Sequence, residues 1–150
     1  MTCILLLALA CGKSASDHLE AARKDLDQGQ FDPAIQDAEH GLQADPDDKT
    51  EWGLQLALLE AYARAGKAAE TKQKLEELAA EHPDRIKSSD YSGSAQQLKD
   101  AGKAPEAIEV LDAGHKRFPD DSTITGELEK SKQTTDPAAL ERLKSLGYIQ

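Results

Sequence analysis

One spacing occurs three times in the chain: a glycine is followed seventeen residues later by a proline. The three pairs are Gly29 with Pro46, Gly66 with Pro83, and Gly102 with Pro119. Small or apolar residues recur at helical intervals around each glycine, which is the pattern of helices that pack closely together. Each unit is therefore predicted to contain a helix, a glycine turn, a second helix and a proline that ends it.

The composition agrees with a helical core of small side chains. Hydrophobic residues make up 39% of the 150 residues but aromatic residues only 4%, so the core has to be built mostly from alanine and leucine. A net charge of −10 is the wrong sign for a protein that replaces the counterions of a nucleic acid. The sequence therefore predicts an all-α fold and no nucleic-acid partner.

Acidic residues mark the expected helix starts. Asp17 with Glu20, and Asp48 with Glu51, have the spacing of a capping box. In this motif two residues three positions apart each accept, with the side chain, a hydrogen bond from the backbone N–H group of the other residue. Helices are therefore predicted to begin at Asp17 and Asp48.

On these residues the chain resembles the tetratricopeptide repeat (TPR) family, with units at 15–48, 52–85 and 88–121. The family pattern is matched in the first unit by Ala22, Gly29, Phe31, Ala34 and Pro46, and in the third by Ala95, Gly102, Ala104, Ala107 and Pro119. The second unit has Thr71 in place of alanine and follows the first by 37 residues instead of about 34, so its first helix is predicted to be one turn longer. The resemblance implies an α-solenoid of about three helical hairpins over residues 15–121. An unrelated helical bundle with evenly spaced turns is the alternative.

Residues 122–150 are predicted to be capping helices, because repeats of this kind bury their apolar faces only against neighbours and need an atypical end. Leucines three residues apart give the last predicted helix one apolar face, and Gly147 is placed to end it. The tail is interpreted as a lid over the last repeat, with partner docking as a second role. The candidate docking residues are Leu140, Leu143, Leu146 and Tyr148.

The amino terminus has the pattern of a secretory signal. Residues 4–10 form an unbroken apolar run, which is the length of a signal-peptide core and too short to span a bilayer. The run ends in Ala8-Leu9-Ala10-Cys11-Gly12, which resembles the lipobox of bacterial lipoproteins. This resemblance implies that residues 1–10 are removed, that Cys11 carries lipid, and that residues 11–14 form a tether. A plain signal peptide, or the apolar end of a soluble protein, is the alternative.

The lipobox resemblance also implies a location. The usual signal for retention in the inner membrane is aspartate directly after the lipidated cysteine, whereas this chain has Gly12 there. The expected location is therefore the bacterial cell envelope, at the periplasmic face of the outer membrane. The expected partner is another protein of the envelope.

The sequence shows no pattern typical of an active site. The four histidines, His18, His40, His82 and His115, are scattered over the three units without an i, i+4 partner, so a metal site is not predicted. The acidic turns lack the ligand spacing of a calcium loop, and no serine elbow or phosphate-binding loop is present. The chain is therefore predicted to be no enzyme and to bind no cofactor, metal or small-molecule substrate.

The resemblance implies a binding surface along the first helices of the units, which would hold a segment of another protein. The implied groove residues are Leu19, Arg23, Leu26, Asp27, Leu56, Glu60, Arg64, Gln96, Lys99 and Asp100. Some eukaryotic family members hold the carboxyl end of a chaperone with Lys, Asn and Arg. The corresponding positions here are Leu19, Glu60, Ser89 and Gly93, so that function is not expected. The alternative to a binding groove is a structural subunit of an envelope assembly complex, for a pilus or the outer membrane, that docks through the tail.

Overall fold

The computed structural model describes residues 12–150, which fold into α-helices joined by short turns. The eight helices in this range are α1 Ala15–Asp27, α2 Phe31–Gln43, α3 Asp48–Arg64, α4 Ala68–Glu81, α5 Ser88–Asp100, α6 Ala104–Arg117, α7 Ser122–Ser131 and α8 Pro137–Ser145. No strand occurs between residues 12 and 150, so the predicted all-α class is confirmed. Cys11 and the predicted signal peptide lie outside the described residues.

The turn inside each of the first three hairpins is built by a glycine in the left-handed conformation. Gly29, Gly66 and Gly102 have φ angles of 72°, 70° and 77°. The residue after each glycine donates a backbone hydrogen bond to the carbonyl five residues earlier, as from Gln30 N–H to Asp25 O at 2.8 Å. This hydrogen bond satisfies a backbone carbonyl at the end of the helix. It requires the left-handed conformation, which glycine adopts without steric cost because it has no Cβ atom. The three predicted turns therefore share one geometry.

Helix α1 begins two residues before its predicted start, and both α1 and α3 are capped by residues other than those predicted from the sequence. Ser14 caps α1, because its hydroxyl accepts a bond from Asp17 N–H at 3.2 Å while the Asp17 carboxylate accepts one from Ser14 N–H at 2.9 Å. Asp47 caps α3 and accepts a bond from Thr50 N–H at 2.8 Å. The predicted start at Asp17 is therefore wrong, whereas α3 does begin at Asp48, with Asp47 as its cap in place of the predicted Asp48–Glu51 box. Asp17 and Asp48 both lie in the first turn of their helices, where their negative charge interacts favourably with the positive end of the helix dipole.

The second hairpin starts at Asp48, four residues before the predicted boundary of its unit. Its first helix, α3, has 17 residues, against 13 in α1 and in α5. The additional turn accounts for the spacing of 37 residues between the first two glycine turns.

The core is formed mainly by alanine and leucine, as the composition predicted. One cluster joins α1 and α2 to α3, and a second joins α3 to α7. Two glycines allow the helices to approach closely. A Cβ atom at Gly41 would lie 2.6 Å from Leu54 Cδ2, and one at Gly114 would lie 2.8 Å from Tyr91 Cβ and 3.0 Å from Ile124 Cδ1. Close packing at these points therefore depends on the absence of a side chain.

Helix α7 continues the repeat. Ile124 on α7 meets Gly114 on α6 in the way that Leu54 on α3 meets Gly41 on α2. Helix α8 then packs on α6, where Ala139 and Leu143 cover Ile108. The predicted capping region thus consists of a first helix in repeat position and a second helix that covers the third hairpin. Every helix between residues 12 and 150 is too short or too polar to cross a membrane.

Candidate protein-binding groove

The first helices of the hairpins do not pack equally closely. Between α1 and α3, Leu19 lies against Gly53, since a Cβ atom at Gly53 would be 2.8 Å from Leu19 Cδ2. Between α3 and α5, an open cavity of about 220 Å³ remains. The cavity is bordered on α3 by Leu56, Leu59 and Glu60.

Small residues on α5 keep this cavity open. The α5 side is formed by Ser89, Asp90, Gly93, Ser94 and Gln97. Apart from the adjoining residues and backbone of α5 itself, no neighbour lies within 4 Å of the position that a Cβ atom of Gly93 would occupy. Serine and glycine have low helix propensity, so the sequence 88–94 favours a weak helix, yet it is helical here. The same small residues that lower the helix propensity of α5 thus leave the space between α3 and α5 unfilled.

The cavity continues along the same two helices toward their carboxyl ends. This second part is bordered by Phe31, Glu60, Arg64, Gln97, Asp100 and Ala101. We call the two parts together the α3/α5 groove. From Ser89 to Asp100 it follows eleven helical steps, about 16 Å, which is the length of about five residues of extended chain.

Three carboxylates and one guanidinium group border the groove. Arg64 donates a hydrogen bond to Glu60 Oε1 at 3.0 Å, and its guanidinium carbon lies 4.9 Å from the centre of the Phe31 ring. Asp100 accepts a bond from Gln96 Nε2 at 2.8 Å, and Asp90 accepts one from Lys87 N–H at 2.7 Å. Arg64 and Asp100 thus lie in the part toward the carboxyl ends of the helices, Asp90 lies in the other part, and Glu60 borders both.

Four of the residues predicted for the groove line it: Leu56, Glu60, Arg64 and Asp100. Gln97 lines it in place of the predicted Gln96, which is exposed. Lys99 is turned toward α7, where its ammonium group lies 3.3 Å from a carboxylate oxygen of Glu127.

The predicted residues of α1 do not form part of this groove. Arg23 and Asp27 are exposed, and Leu19 packs in the α1–α3 contact. Leu26 is only 3% exposed and belongs to the core. The prediction that Leu26 contacts a partner is therefore wrong, because Leu26 shares its helix face with Ala22, which is also buried.

The apolar residues of the tail are largely used inside the molecule. Leu143 is 0% exposed, and Leu146 and Tyr148 pack against the cluster that it forms with Ile108. The Tyr148 hydroxyl donates a hydrogen bond to Asp112 Oδ1 at 2.9 Å. Burial and then this bond raise the pKa of Tyr148 to about 12. A docking role for Leu143 is therefore wrong, and among the four predicted tail residues only half-buried Leu140 lies outside the apolar clusters.

Histidine and acidic side chains do not assemble into a ligand set. Within residues 12–150, no group of three or more His, Cys, Asp or Glu residues is placed to hold a metal ion. His18 instead pairs with a single carboxylate, since its Nδ1 atom lies 2.8 Å from Asp37 Oδ1. We therefore regard the groove, and not a metal or catalytic cluster, as the candidate site.

No protein-family model and no curated protein sequence matches the chain. Solved structures of TPR domains are among those similar to it. The first TPR of Spaghetti (RPAP3) bound to the HSP90 peptide SRMEEVD is 25% identical, with a TM-score of 0.52 over 77% of this chain and 88% of that chain. The NMR structure of the first TPR domain of the human RPAP3 protein is 24% identical, with a TM-score of 0.53 over 91% and 97%. These similarities confirm the predicted solenoid of TPR helical hairpins.

Proposed function

We propose that this protein is a non-enzymatic interaction module that binds a segment of another protein in the α3/α5 groove. The observation that carries the proposal is the groove itself. It has an apolar border of Leu56 and Leu59, polar groups along its length, and walls made of two helices that are fixed in the core. Sites for a peptide segment combine these features.

The similarity to a peptide-bound TPR domain supports the class of function. The Spaghetti domain holds a peptide of another protein, and that peptide contains three acidic residues. The groove of this chain has Glu60 and Asp90 along its border. The partner is therefore a protein segment of a different charge from that peptide.

The groove can be tested by filling it without disturbing the fold. We expect a Gly93→Leu variant to lose its protein partner, because the new side chain enters free space between α3 and α5. The variant should fold, since leucine has the better helix propensity by up to about 1 kcal/mol. The measurement is affinity capture from solubilised membranes with the full chain, compared with the wild type.

Gly126 provides the matched control for this experiment. It lies in α7, outside the groove, and a Cβ atom there would also have no neighbour within 4 Å. The Gly126→Leu variant should capture the same partner as the wild type. Full capture by Gly93→Leu would show that the binding surface lies elsewhere and would overturn the proposed function.

The module is further proposed to be a lipid-anchored protein of the bacterial cell envelope. The supporting observations are the apolar run of residues 4–10 before Cys11 and the nearness of the fold to this cysteine. Helix α1 begins at Ala15, so residues 12–14 alone separate Cys11 from it and reach at most about 11 Å. A lipid on Cys11 would thus hold the repeats close to the bilayer surface.

Mass spectrometry of the native amino-terminal peptide tests the anchor. We expect a peptide that begins at Cys11 and carries more than one acyl chain, since a single chain binds membranes only marginally. A Cys11→Ala variant should leave the membrane fraction. An unmodified Met1, or a Cys11→Ala variant that stays with the membranes, would contradict the anchor while leaving the groove proposal intact.

A further inference from the structure

The end of the groove near the start of α5 is acidic on both sides. Glu60 borders it from α3 and Asp90 from α5, and none of the residues that border this part is a lysine or an arginine. Arg64 borders only the other part of the groove, where it is already bonded to Glu60 and stacked on Phe31. A cation in the first part would thus lie between the Asp90 carboxylate and the Glu60 carboxylate, one oxygen of which is already bonded to Arg64.

The same part of the groove has the shape and polarity for a long side chain. Leu56 and Leu59 offer an apolar surface for a methylene stem, and Gly93 leaves the opposite wall free. Ser94 borders the cavity although it is only 3% exposed. The side-chain hydrogen bonds of α5 run from Ser92 to Ser89 O, from Gln96 to Asp100, from Lys87 N–H to Asp90 and from Lys99 to Glu127 on α7, and none of them involves Ser94. Its hydroxyl is therefore available to an occupant.

We propose that the protein segment bound in the α3/α5 groove inserts a lysine or arginine side chain between Glu60 and Asp90. This inference rests on the proposed function and adds the chemical class of the partner. The net charge of −10 acts in the same direction, because it attracts cationic segments and repels anionic ones at long range. The bound segment is thus basic at its centre, with apolar neighbours.

Three synthetic peptides provide the test. They share an alternating serine and leucine frame with blocked ends and differ in two central residues, which are lysine, glutamine or glutamate. Binding to the full chain in a non-ionic detergent is measured by calorimetry at low and high salt. We expect the lysine peptide to bind about tenfold more tightly than the glutamate peptide, with a preference that decreases as salt is added.

A pair of matched variants locates the effect. Glu60→Gln should weaken the lysine peptide about three- to fivefold and leave the glutamine peptide unchanged. The control is Glu77→Gln on α4, because Glu77 is similarly exposed (38% against 42% for Glu60) and is also paired with a neighbouring helix residue, but lies outside the groove. Its effect on every peptide should be negligible.

The outcomes separate this inference from the proposed function. Three results would overturn the inference that the partner inserts a cationic side chain. The first is that the glutamine or glutamate peptide binds as tightly as the lysine peptide or more tightly. The others are an equal loss of lysine-peptide binding in Glu60→Gln and Glu77→Gln, and no binding of any peptide. The proposed function would stand in each case if Gly93→Leu still abolished partner capture. Failure of the Gly93→Leu experiment, in contrast, would remove the groove as the site and the inference with it.

Discussion

A Gly114→Leu variant is expected to have a free energy of unfolding lower by about 3 kcal/mol, because overpacking at a close helix contact costs this much. A Cβ atom at Gly114 would lie 2.8 Å from Tyr91 Cβ on α5 and 3.0 Å from Ile124 Cδ1 on α7. The Tyr91 atom is attached directly to the backbone, so the clash cannot be relieved by turning a side chain. Helix α5 would have to move away from α6, and the Ile124 side chain of α7 would have to shift.

Urea denaturation followed by far-ultraviolet circular dichroism measures this loss. The control is Gly126→Leu, which introduces the same side chain into α7 without a neighbour within 4 Å. It should stabilise the protein by up to about 1 kcal/mol through helix propensity. If the Gly114→Leu and Gly126→Leu variants were equally stable, the close packing of α5 and α7 on α6 would be refuted.

A Leu143→Ala variant should lose about 3 kcal/mol of stability, the typical cost of removing a fully buried leucine side chain and leaving a cavity. Leu143 is 0% exposed and packs with Ile108 and Ala139, so its removal loosens α8 from α6. Denaturation measures the loss of stability. An apolar dye should detect Ile108 as it becomes accessible.

Leu140 on the same helix is the matched control. It is half-buried and does not belong to the apolar clusters of the core. Leu140→Ala should therefore cost less than about 1 kcal/mol. Equal losses in the two variants would mean that α8 does not cover the third hairpin through Leu143.

The sequence predicted the structure best at positions where the backbone conformation strongly favours a single residue type. Gly29, Gly66 and Gly102 predicted their turns correctly, because the left-handed conformation selects glycine regardless of the surroundings. The all-α class followed from the same spacing. The start of α1 was placed wrongly, because Ser14 with Asp17 and Asp17 with Glu20 have the same spacing, and the sequence alone does not choose between them.

The groove could be anticipated only in part. The family resemblance indicated the first helices, and four of the residues that it implied, Leu56, Glu60, Arg64 and Asp100, lie on the border of the groove. The side chains of adjacent helical residues point about 100° apart. An error of one position therefore led to the prediction of Gln96, whereas Gln97 is the residue that lines the groove. The open space itself depends on how far apart α3 and α5 lie. Only the serine- and glycine-rich start of α5, including Gly93 and Ser94, could have indicated it.

The contact between α8 and α6 has a consequence for how such a chain can evolve. The residue six positions after the turn glycine is Ile35 in the first unit, Lys72 in the second and Ile108 in the third. In the third unit, Ile108 and Asp112 receive Leu143 and Tyr148 from the tail. The second unit has a charged Lys72 at the position that has to cover Leu143, so it could not take the third unit's place. An internal duplication that left a copy of the second unit last would therefore set Leu143 against a charged side chain, although the turns of the repeats share one backbone geometry.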